Sequence, residues 1–406
     1  MKSTNPTNPS HHSTWTQGAG IPIGLWVSPP PQHISEERYR EIKEAGFTFV
    51  IGLAEYGAGT EYIHKALDAA QANGLRYLVY DTRLFALSRG DLRKVGEIAG
   101  EFAGHPAFGG NLFIDEPSVA QYEHLTALKA AYSEAVPHGL AYVNLFPTYA
   151  SDEQRGGVDH ERYVELYMEQ FRPDILSYDH YPFLTPRPGR VLTITKDYFA
   201  NLQLIRQAAL RHNVPFWLFI QTLAFNRSNR DPSAAEIRWQ VYTSLAFGAK
   251  GIQYFTYWTP DNGRETFGDA MIDRAGNRTR HYGEVQSVNR EIAGLGGVLS
   301  TLESVGVMTH GNVQPPFGGA LTQFRPLSRL EGDAAIIGCF RDGGGHAYAL
   351  VVNESFEVAH TINLWLSRPE KPVQVWQQGV QTELRPESGK LSVSLEPGEG
   401  KLVQFA

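Results

Sequence analysis

Eight short apolar runs, each followed by a longer amphipathic stretch, recur between Ile21 and about Gly297. They are Ile21–Val27, Phe47–Leu53, Leu75–Asp81, Phe108–Ile114, Leu140–Phe146, Ile175–Tyr181, Pro215–Gln221 and Gly251–Trp258. A strand that is apolar along its whole length is buried on both faces, and helices between such strands impose a parallel sheet. Eight strand–helix units predict a closed (β/α)₈ TIM barrel better than an open doubly wound sheet. No glycine-rich phosphate loop follows the first run, which counts against a dinucleotide fold. Helix punctuation agrees with the count. Ser35 opens Glu36–Ala45, which Gly46 closes; Asn73 and Gly74 end the next helix, and Ser233 with Glu236 forms a capping box after Pro232.

Beyond Gly297 the pattern changes to period two: Ala334–Phe340, His346–Asn353, His360–Leu366, Val373–Gln377, Lys390–Leu395 and Lys401–Phe405, separated by turns rich in Gly, Pro and Asp. This predicts a small C-terminal antiparallel β-sandwich domain. The expected organisation is a disordered leader over 1–20, a barrel over 21–299 and an all-β domain over 300–406. A net charge of −7 without basic runs argues against nucleic acid as a partner. No 18-residue apolar run suggests a membrane span. The lone Cys339 excludes an intramolecular disulfide framework and a cysteine zinc site, and its apolar setting predicts a buried thiol. The polar N-terminus lacks an apolar signal core, so cytoplasmic residence is expected, or secretion if that end is a processed form. No cofactor and no metal is expected.

Working residues of a TIM barrel stand at the C-terminal ends of its strands. Those ends carry Trp26, Tyr56, Asp81, Asp115 with Glu116, Asn144, Asp179 with His180 and Tyr181, Gln221, and Tyr257 with Trp258. A cup of carboxylates and aromatics suits cleavage of a glycosidic bond, whose transition state resembles an oxocarbenium ion and needs a protonated acid nearby. The sharpest motif is Asn111–Pro117, which ends in the adjacent acids Asp115 and Glu116. Burial and mutual repulsion can raise one of them, leaving Glu116 protonated as a general acid. Asp115 could instead cap the following helix.

Strand four ending in Asp-Glu-Pro resembles the Asn-Glu-Pro of the clan A glycoside hydrolases, the group that includes family 42 β-galactosidases and many cellulases. The stretch Ile237–Pro260, with Trp239-Gln240, Ser244–Gly251 and Tyr254–Trp258, is similar to their seventh helix and eighth strand. The C-terminal sheet ending in Leu395–Gly400 also looks like theirs. The resemblance implies a carbohydrate substrate, hydrolysis, and Glu116 as acid/base, with a Trp at the end of strand eight beneath the sugar. The pattern departs at strand seven, where Gln221 stands in place of the nucleophilic Glu; an amide cannot form the glycosyl ester.

Three readings follow. Asp179 or Asp115 could be the second carboxylate, with Asp81 next. The substrate's own acetamido group could attack, since adjacent Asp-Glu on strand four resembles family 20 hexosaminidases and Tyr-Asp on strand six resembles family 18 chitinases. The cup could also bind carbohydrate without cleaving it. His180 with Asp179 could hold a metal, but one His among carboxylates better suits an orienting hydrogen bond.

Overall fold

The computed structural model describes Trp15, 20–53, 56–187, 194–368 and 370–406. Most of the expected leader thus lies outside the described residues. Eight parallel strands close a barrel in chain order, β1 to β8, with β1 paired to β8. They are Ile23–Leu25, Phe49–Ile51, Arg76–Tyr80, Phe108–Asp115, Leu140–Leu145, Leu176–Asp179, Phe216–Gln221 and Gly251–Phe255. Alternation along these strands sorts their side chains. Phe49, Ile51, Leu78, Leu112, Tyr142, Trp217 and Phe219 fill the barrel interior. Their neighbours Val50, Val79, Phe113, Val143, Leu218 and Ile220 join the layer packed against the helices.

Trp15 corrects one part of the expected leader. It is 6% exposed, with its ring edge-on to Phe49 at 5.2 Å and Trp217 at 5.6 Å, and the Arg76 guanidinium 4.9 Å from its centroid. An indole in a polar segment gains far more from the apolar barrel interior than from water, at roughly 25 cal/mol per Å² of apolar surface buried.

The last barrel helix, Arg280–Leu299, leads into strand Glu303–His310. The C-terminal region holds two antiparallel sheets. One has three strands, Leu327–Gly332, His360–Leu366 and Lys390–Leu395; the other has six, with Ala335–Arg341 and Ala347–Asn353 near its centre. These two strands are buried on both faces along most of their length. Ile337, Cys339, Ala349 and Val351 meet the small sheet, whereas Ile336, Phe340, Leu350 and Val352 pack with the barrel's outer core. Burial pushes the Cys339 thiol up to about 12, consistent with an inert buried group.

Candidate active site

The mouth of the barrel holds a cavity of about 240 Å³ lined by acids Asp115, Glu116, Asp179 and Glu265, by Asn144, and by aromatic side chains including Trp26, Tyr149 and Tyr181. This is below the ~300–1,000 Å³ of ordinary small-molecule sites, which suits a single ring rather than a chain. A larger hollow of about 570 Å³ on the C-terminal domain is bordered by Arg325, Arg341 and Arg368 and carries no acid pair.

The acids reach the cup by different routes. Asp115 is the last residue of β4, and Glu116 follows it with φ of 50°. Two consecutive strand residues would point to opposite faces; the left-handed turn at Glu116 brings both into the cup. The Glu116 amide still donates to the Asn144 carbonyl at 2.8 Å, so the strand pairing extends through the turn. Asp179 ends β6, and Asn144 lies on β5 between the two acidic strands. The Asn144 amide nitrogen donates to Asp115 at 3.1 Å and Asp179 at 3.2 Å. Its carbonyl accepts from Ser177 at 3.0 Å, and Ser177 in turn meets Tyr142 at 2.6 Å and Gln253 at 3.1 Å. A buried polar chain across the barrel interior therefore fixes the amide that spaces the two aspartates.

Electrostatics follow from that crowding. Burial, then the charges of Asp179 and Asp115, push the Glu116 carboxyl far above the usual range. Burial and the Asp115 charge also raise Asp179, while its hydrogen bonds to Asn144 and Glu116 pull it back. The Glu116–Asp179 hydrogen bond raises one acid and lowers the other, so its proton rests on Glu116 and Asp179 accepts it. Asp115 is raised least, by burial, against the opposing Asn144 bond. Its surface is open to water at the cup floor although protein rings it closely. Asp115 is therefore the most readily ionised of the three.

Trp26, Asn144 and Tyr181, expected as sugar contacts, do line this cavity together with the three expected acids. Tyr56 stands in the turn Tyr56–Ala58, and its side chain lies outside the described residues. Five other expectations need correction. Asp81 caps the short helix Thr82–Phe85 and is held by the Arg83 guanidinium at 2.6 Å, away from the cup. His180 alternates outward between Asp179 and Tyr181; its Nδ1 meets Asn201 at 2.8 Å and its Nε2 meets Thr195 at 2.6 Å. Gln221 is fully buried behind the wall. Its Oε1 accepts from the Phe183 amide at 3.1 Å, and its Nε2 donates to the carbonyls of Arg230 at 2.8 Å and Leu223 at 3.3 Å. Tyr257 and Trp258 lie past the end of β8 and turn outward, Tyr257 onto Phe47 and Trp258 onto His33 and Arg38. Phe255, the last residue of β8, takes the place at the cup expected for Trp258.

Tyr149, Phe219, Phe225, Phe255 and Glu265 were not anticipated as lining residues. Inward alternation on β7 and β8 signals Phe219 and Phe255. Nothing in local sequence marks Tyr149, Phe225 or Glu265, because all three arrive on loops. Among the described residues no group of His, Cys, Asp and Glu is arranged to hold a metal ion, and no helix is long and apolar enough to cross a membrane.

The architecture, a closed parallel barrel followed by antiparallel sheets, is similar to that of several solved glycoside hydrolases. More particularly, residues 158–295 match the family 42 glycoside hydrolase model, described as β-galactosidase. The family 42 β-galactosidase of G. stearothermophilus superposes with a TM-score of 0.63 at 9% identity, covering 96% of this chain and 99% of that one. A β-galactosidase from the psychrophilic Marinomonas ef1 gives 0.54 at 14% identity, covering 70% of this chain and 62% of that one. A family 5 glycoside hydrolase from Bacteroides vulgatus gives 0.55 at 12% identity, over 95% and 89%. The aligned chain therefore spans less than two thirds of the Marinomonas enzyme. A comparison with curated proteins finds no match.

Proposed function

We propose that this chain is a glycoside hydrolase of β-galactosidase type, with Glu116 as general acid. The carrying observation is the crowding of Glu116 with Asp115 and Asp179 inside an aromatic-walled cup sized for one ring, which raises the Glu116 carboxyl and favours its protonated form. The match of 158–295 to the β-galactosidase family supports the substrate class, and that segment contains Asp179 and strands six to eight.

Glu116 delivers its proton to the glycosidic oxygen as the bond to the anomeric carbon lengthens. Positive charge then develops on the sugar ring, and the anionic floor formed by Asp115 and Asp179 stabilises it. Asp179 interacts directly with the Glu116 carboxyl, which leaves it poorly placed to act from the opposite side of the sugar. Its role is therefore to hold the proton on Glu116. Trp26 and Tyr181 supply apolar faces for the sugar ring.

A panel of nitrophenyl galactosides, glucosides and N-acetylhexosaminides tests this reading. Wild type should cleave a β-galactoside, and Glu116→Gln should lower kcat by about 10²–10⁴-fold, the range for a general acid. Activity confined to acetamido sugars would replace it with the substrate-assisted reading. Binding without turnover by wild type would leave a carbohydrate-binding protein.

A further inference from the structure

We infer that Glu265 is the second catalytic carboxylate, the base that activates water against the anomeric carbon. This rests on the glycosidase reading above.

Gln221 is turned into the wall, with its amide committed to backbone groups. Asp179 is hydrogen-bonded to Glu116, and Asp115 adjoins Glu116 on the same strand. All three expected acids therefore stand on strands four to six, along one arc of the barrel. Glu265 enters from the loop that follows β8. In a closed barrel of eight strands in chain order, β4 and β8 stand opposite each other. A carboxylate from the eighth loop thus enters the cup from a part of the rim that the other acids do not occupy, as a displacement through the sugar requires. It lines the same cavity, and its charge is one of those acting on Glu116.

The loop is built to hold that side chain. Asn262 accepts from the amides of Arg264 at 3.0 Å and Glu265 at 2.9 Å, which folds the backbone into a local turn. Its Nδ2 then donates to Glu265 Oε2 at 3.0 Å. From the neighbouring loop, Asn226 Nδ2 donates to Oε1 at 2.8 Å. Backbone pairing of the two loops, Phe225 with Phe267 and Gly268 with Ala224, locks Asn226 beside Glu265. Each carboxylate oxygen thus has one neutral donor, and among the described residues no lysine or arginine forms an ion pair with it. The group is oriented and open to water. Its remaining lone pairs are free to accept a proton.

The step balances as a single displacement. Water gives one proton to Glu265 as its oxygen bonds the anomeric carbon. The bond from that carbon to the leaving oxygen breaks, and the Glu116 proton passes to the leaving oxygen. The sugar is released with inverted configuration.

The experiment compares wild type, Glu265→Ala and Glu265→Gln on the glycoside that wild type cleaves best. Both variants should keep the wild-type melting temperature and lose kcat by about 10²–10⁴-fold, with KM changed by less than about threefold. Proton NMR of the first sugar released by wild type should show inversion. Azide, which needs no deprotonation, should restore turnover of Glu265→Ala and yield the inverted glycosyl azide. Retained configuration, near-normal turnover of Glu265→Ala, or a loss that azide does not repair would overturn the assignment. If wild type cleaves no glycoside, or Glu116→Gln is fully active, the hydrolase reading itself fails.

Discussion

Replacing Gln221 with Glu restores the residue type that the resemblance leads one to expect at the end of strand seven, yet the structure predicts damage. The native amide makes three contacts: its oxygen accepts from the Phe183 amide, and its nitrogen serves the carbonyls of Arg230 and Leu223. A carboxylate keeps the first and opposes the other two. A protonated Glu could serve one of those carbonyls, leaving the other without its donor at a cost of about 1–3 kcal/mol. An ionised Glu serves neither and adds an unpaired buried charge, for a total nearer ~3–5 kcal/mol. The pH dependence has a definite sign. Burial raises this carboxyl in the folded chain above its unfolded value, so folded protein holds the extra proton. Protonation therefore favours folding at acidic pH, and that support is lost as pH rises through the raised value. Urea unfolding followed by tryptophan fluorescence should show Gln221→Glu weakened at pH 5 and weakened further at pH 8, with no gain in glycosidase turnover. Equal stability at pH 8, or faster turnover, would refute the reasoning and place position 221 in the reactive cup.

Three other substitutions probe the site and its surroundings. Asp179→Asn removes a charge and a hydrogen bond that keep the proton on Glu116, so the alkaline limb of kcat/KM should move toward acid by about one pH unit or more; an unmoved limb would contradict the proton-sharing role. Because Glu116 is raised in the folded state, its contribution to stability is present at acidic pH and lost as pH climbs. The melting temperature of Glu116→Gln should thus gain on wild type between pH 5 and pH 9, and a constant difference would refute it. Asp81→Asn should cost roughly 2 kcal/mol, less than the ~3–5 for a fully buried pair because Arg83 is a third exposed, and should leave KM unaltered. A changed KM would return Asp81 to the sugar site.

The barrel was legible because its strands must be apolar throughout. Each of the eight observed strands falls on its expected run, within a residue or two at most ends. Alternation marks most strands of the C-terminal sheets, but Glu303–His310, Leu327–Gly332 and Val380–Leu384 lie outside the runs it predicts. Val380–Leu384 is exposed along its whole length, so it carries no two-sided signal. At the site, the sequence identified strand ends but not side-chain directions. Asp179, His180 and Tyr181 look alike as polar strand-end residues, yet alternation sends His180 outward. Asp115 and Glu116 break that alternation through one left-handed residue, which composition does not announce. Trp258 misled because β8 ends three residues earlier, at Phe255. Glu265 lay ten residues beyond β8, and only the pairing of two loops carries it to the cup.

The central claim, that Glu116 gives its proton to the leaving group, is tested most directly by how Glu116→Gln depends on that group. Wild type and variant would be compared on an alkyl galactoside, whose departing oxygen needs protonation, and on a dinitrophenyl galactoside, which departs unaided. A large loss of kcat/KM on the alkyl substrate, about 10²-fold or more, with little loss on the dinitrophenyl one is the predicted result. Equal losses on both would contradict it.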